Sequence, residues 1–127
     1  MIGKGKVKGK VKSRAGDIMV SLDIISYSEN GCKIIYCPAL ELSGYGKTKA
    51  AAEESFMITL HEFLDFTLEH GTLPKVMEEL GWKRGVGGAV VPPTMKDMCK
   101  SRVELQDLIS ERNFTKRRSN ISLPAFS

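Results

Sequence analysis

The residues that could carry chemistry in this chain are few: Gly46-Lys47-Thr48, two histidines, three cysteines and two pairs of adjacent acids. Gly-Lys-Thr is how a nucleotide-binding loop ends, and that loop needs a second glycine five residues earlier so that successive backbone N–H groups wrap phosphate oxygens. The earlier position is Glu41, a carboxylate where a phosphate would sit. Spacing and charge both argue against a phosphate cradle. Thr48 instead suits a helix N-cap, its hydroxyl accepting an orphan backbone N–H. His61 and His70 fall on one expected helix, about 900° of rotation apart, so they face opposite ways and cannot share a metal. Each reads as a structural or solvated group that is pH-sensitive by type. Cys32, Cys37 and Cys99 make an odd set without metal-type spacing. The first two would project from opposite faces of one strand. Glu53-Glu54 and Glu78-Glu79 splay by about 100° on a helix, which suits a solvated face rather than an acid–base couple. No Gly-x-Ser-x-Gly elbow is present, and Ser21, Ser43 and Ser55 have no base visible in sequence. The chain reads as a non-enzyme with no catalytic, metal or cofactor residues.

The elements that position these residues follow from size and patterning. A chain of 127 residues suits one domain with appendages, and 42% hydrophobic content supports a core without disulfides. No apolar run approaches the roughly 20 residues of a membrane span, and the basic start lacks the apolar segment of a signal peptide. The expectation is a reduced, cytoplasmic protein. The net charge of +4 is unevenly spread: residues 1–14 carry +6, residues 15–95 hold six Lys/Arg against eleven Asp/Glu for −5, and residues 96–127 carry +3. An acidic body attracts a basic partner, and basic ends attract phosphates or an acidic neighbour.

The start, "KGKVKGKVKSR", alternates lysine with glycine or valine. It reads as a solvated arm, as an edge strand protected by lysines, or as a nucleic-acid arm without an aromatic residue to stack on bases. In "DIMVSLDIISYSENGCKIIYCP", Ile18, Val20, Leu22 and Ile24 alternate with Met19, Ser21 and Asp23, the pattern of a half-buried strand. Asn30-Gly31 supplies a tight hairpin turn, Cys32–Cys37 returns, and Pro38 breaks the ladder. Leu40–Tyr45 is a third short strand ending in a Gly44 and Gly46 bend. From Thr48 a helix is expected to about His70, with Gly71 closing it. Ala52, Phe56, Leu60, Phe63, Leu64 and Thr67 share one side; Glu54, His61, Glu62, Asp65 and Glu69 share the other. Ile58 points into the acidic side and Phe66 lies at its margin. Single exposed apolar residues are ordinary, or both belong to a contact patch. A short helix in "LPKVMEELGWKR" stops at Gly81, with Pro74 in its first turn and Trp82 as a lid on the core. Gly85–Pro93 reads as a linker. Thr94–Lys100 and Val103–Glu111 are weakly helical, and Asn120–Leu123 is a terminal strand. The apolar Ile121, Leu123 and Phe126 are expected to dock on this chain's body or on another subunit.

With that order of elements in place, "IIYCPALELSGYGKTKAAAEESFMITLHEFLDFTLEHG" resembles the core segment of the HicB antitoxin family. Tyr36, Pro38, Leu40, Gly46, Thr48, Ala52 and Glu53 occupy the telling places, and the resemblance covers about residues 16–72. It implies a non-catalytic α+β domain derived from the RNase H fold, with three to four antiparallel strands packed on one long amphipathic helix. It also implies a small, basic, RNA-cleaving HicA-like toxin as partner, operator DNA as a second one, and a homodimer or higher homo-oligomer. The lysine arm lies outside the family pattern, and no DNA-reading module is recognisable after Trp82. The expected organisation is a basic arm over 1–14, an α+β core over 15–84, a linker over 85–93 and an extension over 94–127 with short helices and a terminal strand. Toxin-contact candidates are Glu54, Ile58, His61 and Asp65. Nucleic-acid candidates are Lys4, Lys6, Lys8, Lys10, Lys12 and Arg14, with Lys116, Arg117 and Arg118. The alternatives are a nucleic-acid binder acting through its basic termini and an interaction domain without a toxin.

Overall fold

The computed structural model describes residues 18–85, 90–111 and 113–124. Strands β1 (Ile18–Glu29), β2 (Cys32–Cys37) and β3 (Leu42–Gly46) precede the long helix α1 (Lys49–Glu69) and the short α2 (Leu73–Glu79). Two-residue strands β4 (Lys83–Arg84) and β5 (Val90–Val91) pair with each other, and α3 (Met95–Ser101), α4 (Val103–Glu111) and β6 (Phe114–Leu123) complete the chain. The fold is α+β, with one antiparallel sheet ordered β3-β2-β1-β6 and α1 packed across it. Among the described residues no helix is long and apolar enough to cross a membrane.

The hairpin forms where the sequence places it. Asn30 and Gly31 both have positive φ, 52° and 80°, which matches the turn to the twist of its strands. β6 is longer than the expected Asn120–Leu123: it spans ten residues and pairs with β1 from Tyr27↔Phe114 to Ile18↔Leu123. Ile121 and Leu123 are fully buried, so these two of the apolar terminal residues dock on this chain's own sheet. The expectation for Phe126 lies outside the described residues. The segment read as a linker contributes Val90–Val91 to the small β4–β5 ladder.

Directly opposed residues of an antiparallel pair share a face, so the register divides the sheet. One face presents Leu22, Ile24, Ile35, Cys37, Ile121 and Leu123, and on it lie α1's buried Ala52, Phe56, Met57, Leu60 and Leu64. The glycines of β3 permit this seat: a Cβ on Gly44 would lie 2.2 Å from the backbone nitrogen of Phe56. They are positions of close helix approach within the strand, rather than the expected bend after it. Ile25 is also fully buried although it points the other way from Ile24. The reason is α4, whose Leu105 and Leu108 lie beside Tyr27 and Tyr36 on the second face.

Local capping fixes the ends of the helices. The Thr48 hydroxyl accepts the Ala51 N–H at 3.1 Å, as the sequence predicts, and Thr94 does the same for Asp97 at 3.1 Å. α1 and α2 both close on a glycine of positive φ, Gly71 and Gly81. In each, the next residue's N–H reaches back: Thr72 to the Thr67 carbonyl at 2.9 Å and Trp82 to the Met77 carbonyl at 3.0 Å, the paired bonds of a Schellman ending.

Candidate functional site

The outward side of α1 carries the four residues singled out as contact candidates. Glu54, Ile58 and Asp65 are exposed, and Ile58 keeps 43% of its surface in solvent. His61 is only partly exposed, and its Nε2 lies 3.1 Å from the Asp65 carboxylate one turn later. Two further residues that the sequence placed on or beside this side, Glu62 and Phe66, are exposed with them, Phe66 at 60%. The His70 ring stacks on Phe66 with centroids 4.2 Å apart. His70 Nδ1 is 2.9 Å from the Phe66 carbonyl oxygen; that oxygen can only accept, so Nδ1 carries the proton. The stacked pair makes an aromatic knob at the C-terminal end of the helix.

Charge on this helix is one-sided. Between Lys49 and Lys75 the chain holds five Asp/Glu and no Lys or Arg. Glu53 alone of these turns toward the sheet, where its carboxylate meets Arg117 at 3.4 Å. Glu54, Glu62, Asp65 and Glu69 are all exposed. The result is an acidic stripe whose middle and end are apolar, Ile58 and Phe66. The sequence placed both of these residues correctly; packing alone shows that none of the described residues covers them.

The basic candidates are divided rather than gathered. Lys116 and Arg118 alternate with Arg117 along β6, so the three do not share a face. Arg118 is tied to Asp23 at 3.2 Å, to the Ser21 hydroxyl at 3.2 Å and to the Ser21 carbonyl at 3.0 Å. Arg117 is held by Glu53, and Lys116 is exposed. Lys4, Lys6, Lys8, Lys10, Lys12 and Arg14 lie outside the described residues.

A second polar cluster organises the turn between β2 and β3, and no sequence motif announces it. The turn closes with Leu40 N–H on the Cys37 carbonyl at 3.2 Å, and Glu41 takes a left-handed φ of 57°. Arg102, at the junction of α3 and α4, donates to the Pro38 carbonyl at 2.7 Å and pairs with Glu41 at 2.5 Å. Tyr36 donates its hydroxyl to the same carboxylate at 3.0 Å. From the other side the buried Trp82 indole N–H donates to the Ala39 carbonyl at 2.8 Å. Burial first, and then the Glu41 charge, push the Tyr36 hydroxyl up to about 12. Burial pushes the neighbouring Cys37 thiol up to about 12 as well, which keeps it protonated and unreactive at neutral pH. The cluster is an anchor that fastens α3, α4 and the β2–β3 turn together. Among the described residues, no group of three or more His, Cys, Asp or Glu is placed to hold a metal ion. Comparison with protein-family models, with curated proteins and with solved structures finds no match.

Proposed function

We propose that this chain is a non-catalytic binding module of the HicB antitoxin type, which docks a small basic RNA-cleaving protein and covers its active site. The observation that carries this reading is the outward side of α1: an acidic stripe without Lys or Arg, in which Ile58 and Phe66 are exposed. A basic partner is steered by such a stripe, which raises the rate of encounter, while the apolar contacts set how long the complex lasts. Glu54, Ile58, His61 and Asp65 form the proposed contact surface, extended by Glu62 and Phe66. The sheet beneath serves as a rigid seat, because a helix pinned against glycine backbone cannot tilt away from a docked partner without losing its own core. The exposed stripe is also what the charge pattern of the body, −5 over residues 15–95, would require of a module for a cationic protein.

The test is association with the small basic protein encoded by the neighbouring open reading frame. Binding with loss of that protein's RNA cleavage, weakened by Ile58→Asp, supports the reading. Absence of any such neighbour, or a complex indifferent to the outward side of α1, overturns it.

A further inference from the structure

The seat of α1 itself stops short of one end of its sheet face. α1 starts at Lys49, just after the Gly46 that pairs with Lys33, so among the described residues the face beyond it, toward the hairpin turn, has no helix above it. There the structure holds a groove with a volume of about 740 Å³, within the usual range of about 300–1,000 Å³ for ligand sites. Its cations are Lys33, Lys49 and Arg117, and its aliphatic hydroxyls are Ser26, Ser28 and Thr115. Among the described residues no acid lines it. The register explains the gathering: Ser28 opposes Lys33, Ser26 opposes Thr115, and Arg117 opposes Ile24, so these side chains share the α1-bearing face.

Two details indicate unspent donor capacity. Arg117 contacts Glu53 through one Nη at a long 3.4 Å, and its Nε is buried with no hydrogen-bond partner. A guanidinium offers five N–H donors, and a buried unmatched one is costly unless a ligand or water supplies an acceptor. Lys49 opens a 21-residue helix, whose N-terminal end adds positive potential to that of the three cations. Cations with hydroxyl donors, in a groove whose described lining holds no carboxylate and whose Arg117 meets Glu53 from outside that lining, fit tetrahedral oxyanions.

We infer that this groove binds phosphoryl groups, through Lys33, Lys49 and Arg117 as cations and Ser26, Ser28 and Thr115 as hydroxyl donors. The inference does not depend on the docking role of α1, whose acidic stripe is a separate surface. The phosphoryl groups can belong to an RNA backbone or to a small oligophosphate, and two probes separate these sources: a short oligouridylate and inorganic pyrophosphate. The full chain is titrated with each while the amide signals of Ser26, Ser28 and Thr115 are followed by NMR. The oligouridylate titration is repeated by fluorescence anisotropy across salt concentrations.

The informative variant is Lys33→Gln/Lys49→Gln, since both side chains are exposed and their loss leaves the core intact. The control is Lys96→Gln/Lys100→Gln on α3. Loss of two phosphate contacts weakens oligouridylate binding by about tenfold and reduces the log–log salt slope by about 1.4, while the control keeps the parent affinity. Shifts with oligouridylate alone assign the groove to a nucleic-acid backbone, shifts with pyrophosphate alone to a small phosphate, and shifts with both to phosphoryl groups in general; each supports the inference. It is overturned if neither probe moves those amides, or if the groove variant binds as the control does. The latter result would assign the affinity to the basic arm over residues 1–14.

Discussion

Gly44→Ala tests the seat of α1 on the sheet. The added Cβ would stand 2.2 Å from the Phe56 nitrogen, 2.6 Å from its Cα and 2.7 Å from the Ala52 carbonyl oxygen. Non-bonded carbon contacts settle at about 3.5 Å or more, so the helix must lift by roughly 1 Å or β3 must sink by as much. All three obstructing atoms are backbone, so no side chain can rotate out of the way. Overpacking of this kind costs about 1–3 kcal/mol, occasionally more. Stiffening of the unfolded chain returns only about 0.4–1 kcal/mol. The expected net loss is about 1–2.5 kcal/mol, a sizeable part of a typical total of about 5–15 kcal/mol, and a fall in Tm of about 5–10 °C for a domain of this size. Gly31→Ala is the comparison, because Gly31 has a φ of 80° with nothing within 4 Å of its added Cβ. Its cost is backbone strain alone, about 1–2 kcal/mol. Urea denaturation gives both values, and hydrogen exchange locates the damage, with protection lost in α1 and β3 but kept between β1 and β6. A Gly44→Ala protein as stable as the parent, or one loosened evenly throughout, would refute the close seat.

Trp82→Phe keeps most of the buried ring and removes the indole donor, leaving the Ala39 carbonyl buried without that partner. Urea denaturation should record a loss of about 1–3 kcal/mol. Alkaline pH gives an independent check on the same region. Tyr36 and Cys37 have folded values of about 12 against ordinary values of 10.0 and 9.0, so the unfolded chain releases these protons first. Their contribution to stability is complete below pH 9 and is lost as pH rises toward about 12. Denaturation midpoints should therefore fall across that window, and Tyr36→Phe should fall less steeply than the parent. With native protein at neutral pH, a thiol reagent should label the partly exposed Cys32 and Cys99 before the buried Cys37.

The local grammar of the first two-thirds of the fold is plain in the residues. Period-two apolar spacing from Ile18 to Ile24, the Asn30-Gly31 turn and the Thr48 cap each act within a few residues, so each is visible without tertiary knowledge. β6 shows the opposite case. Thr115-Lys116-Arg117-Arg118 carries no apolar alternation, because Lys116 and Arg118 lie on the second face and Arg117 meets a carboxylate supplied by α1. A strand whose inward residue is an ion-paired arginine does not look like a strand until its partner is known. Ile25 hides its burial for a related reason: only the later arrival of α4 makes the second sheet face a core. The outward side of α1 was readable residue by residue, including Ile58 and Phe66. The groove at its other end was not, because Lys33, Lys49 and Arg117 come from three elements that only strand order brings together.

The docking role proposed for α1 meets its most direct test in calorimetric titration of the full chain with any small basic protein encoded by the neighbouring open reading frame, beside a Glu62→Lys/Asp65→Lys variant of the same fold. The expected result is saturable one-site binding in the parent and an association weakened about tenfold or more by the charge reversal, with the difference shrinking as salt rises. Equal heats and equal affinity for parent and variant would contradict it, and the acidic stripe would then be only a solvated helix side.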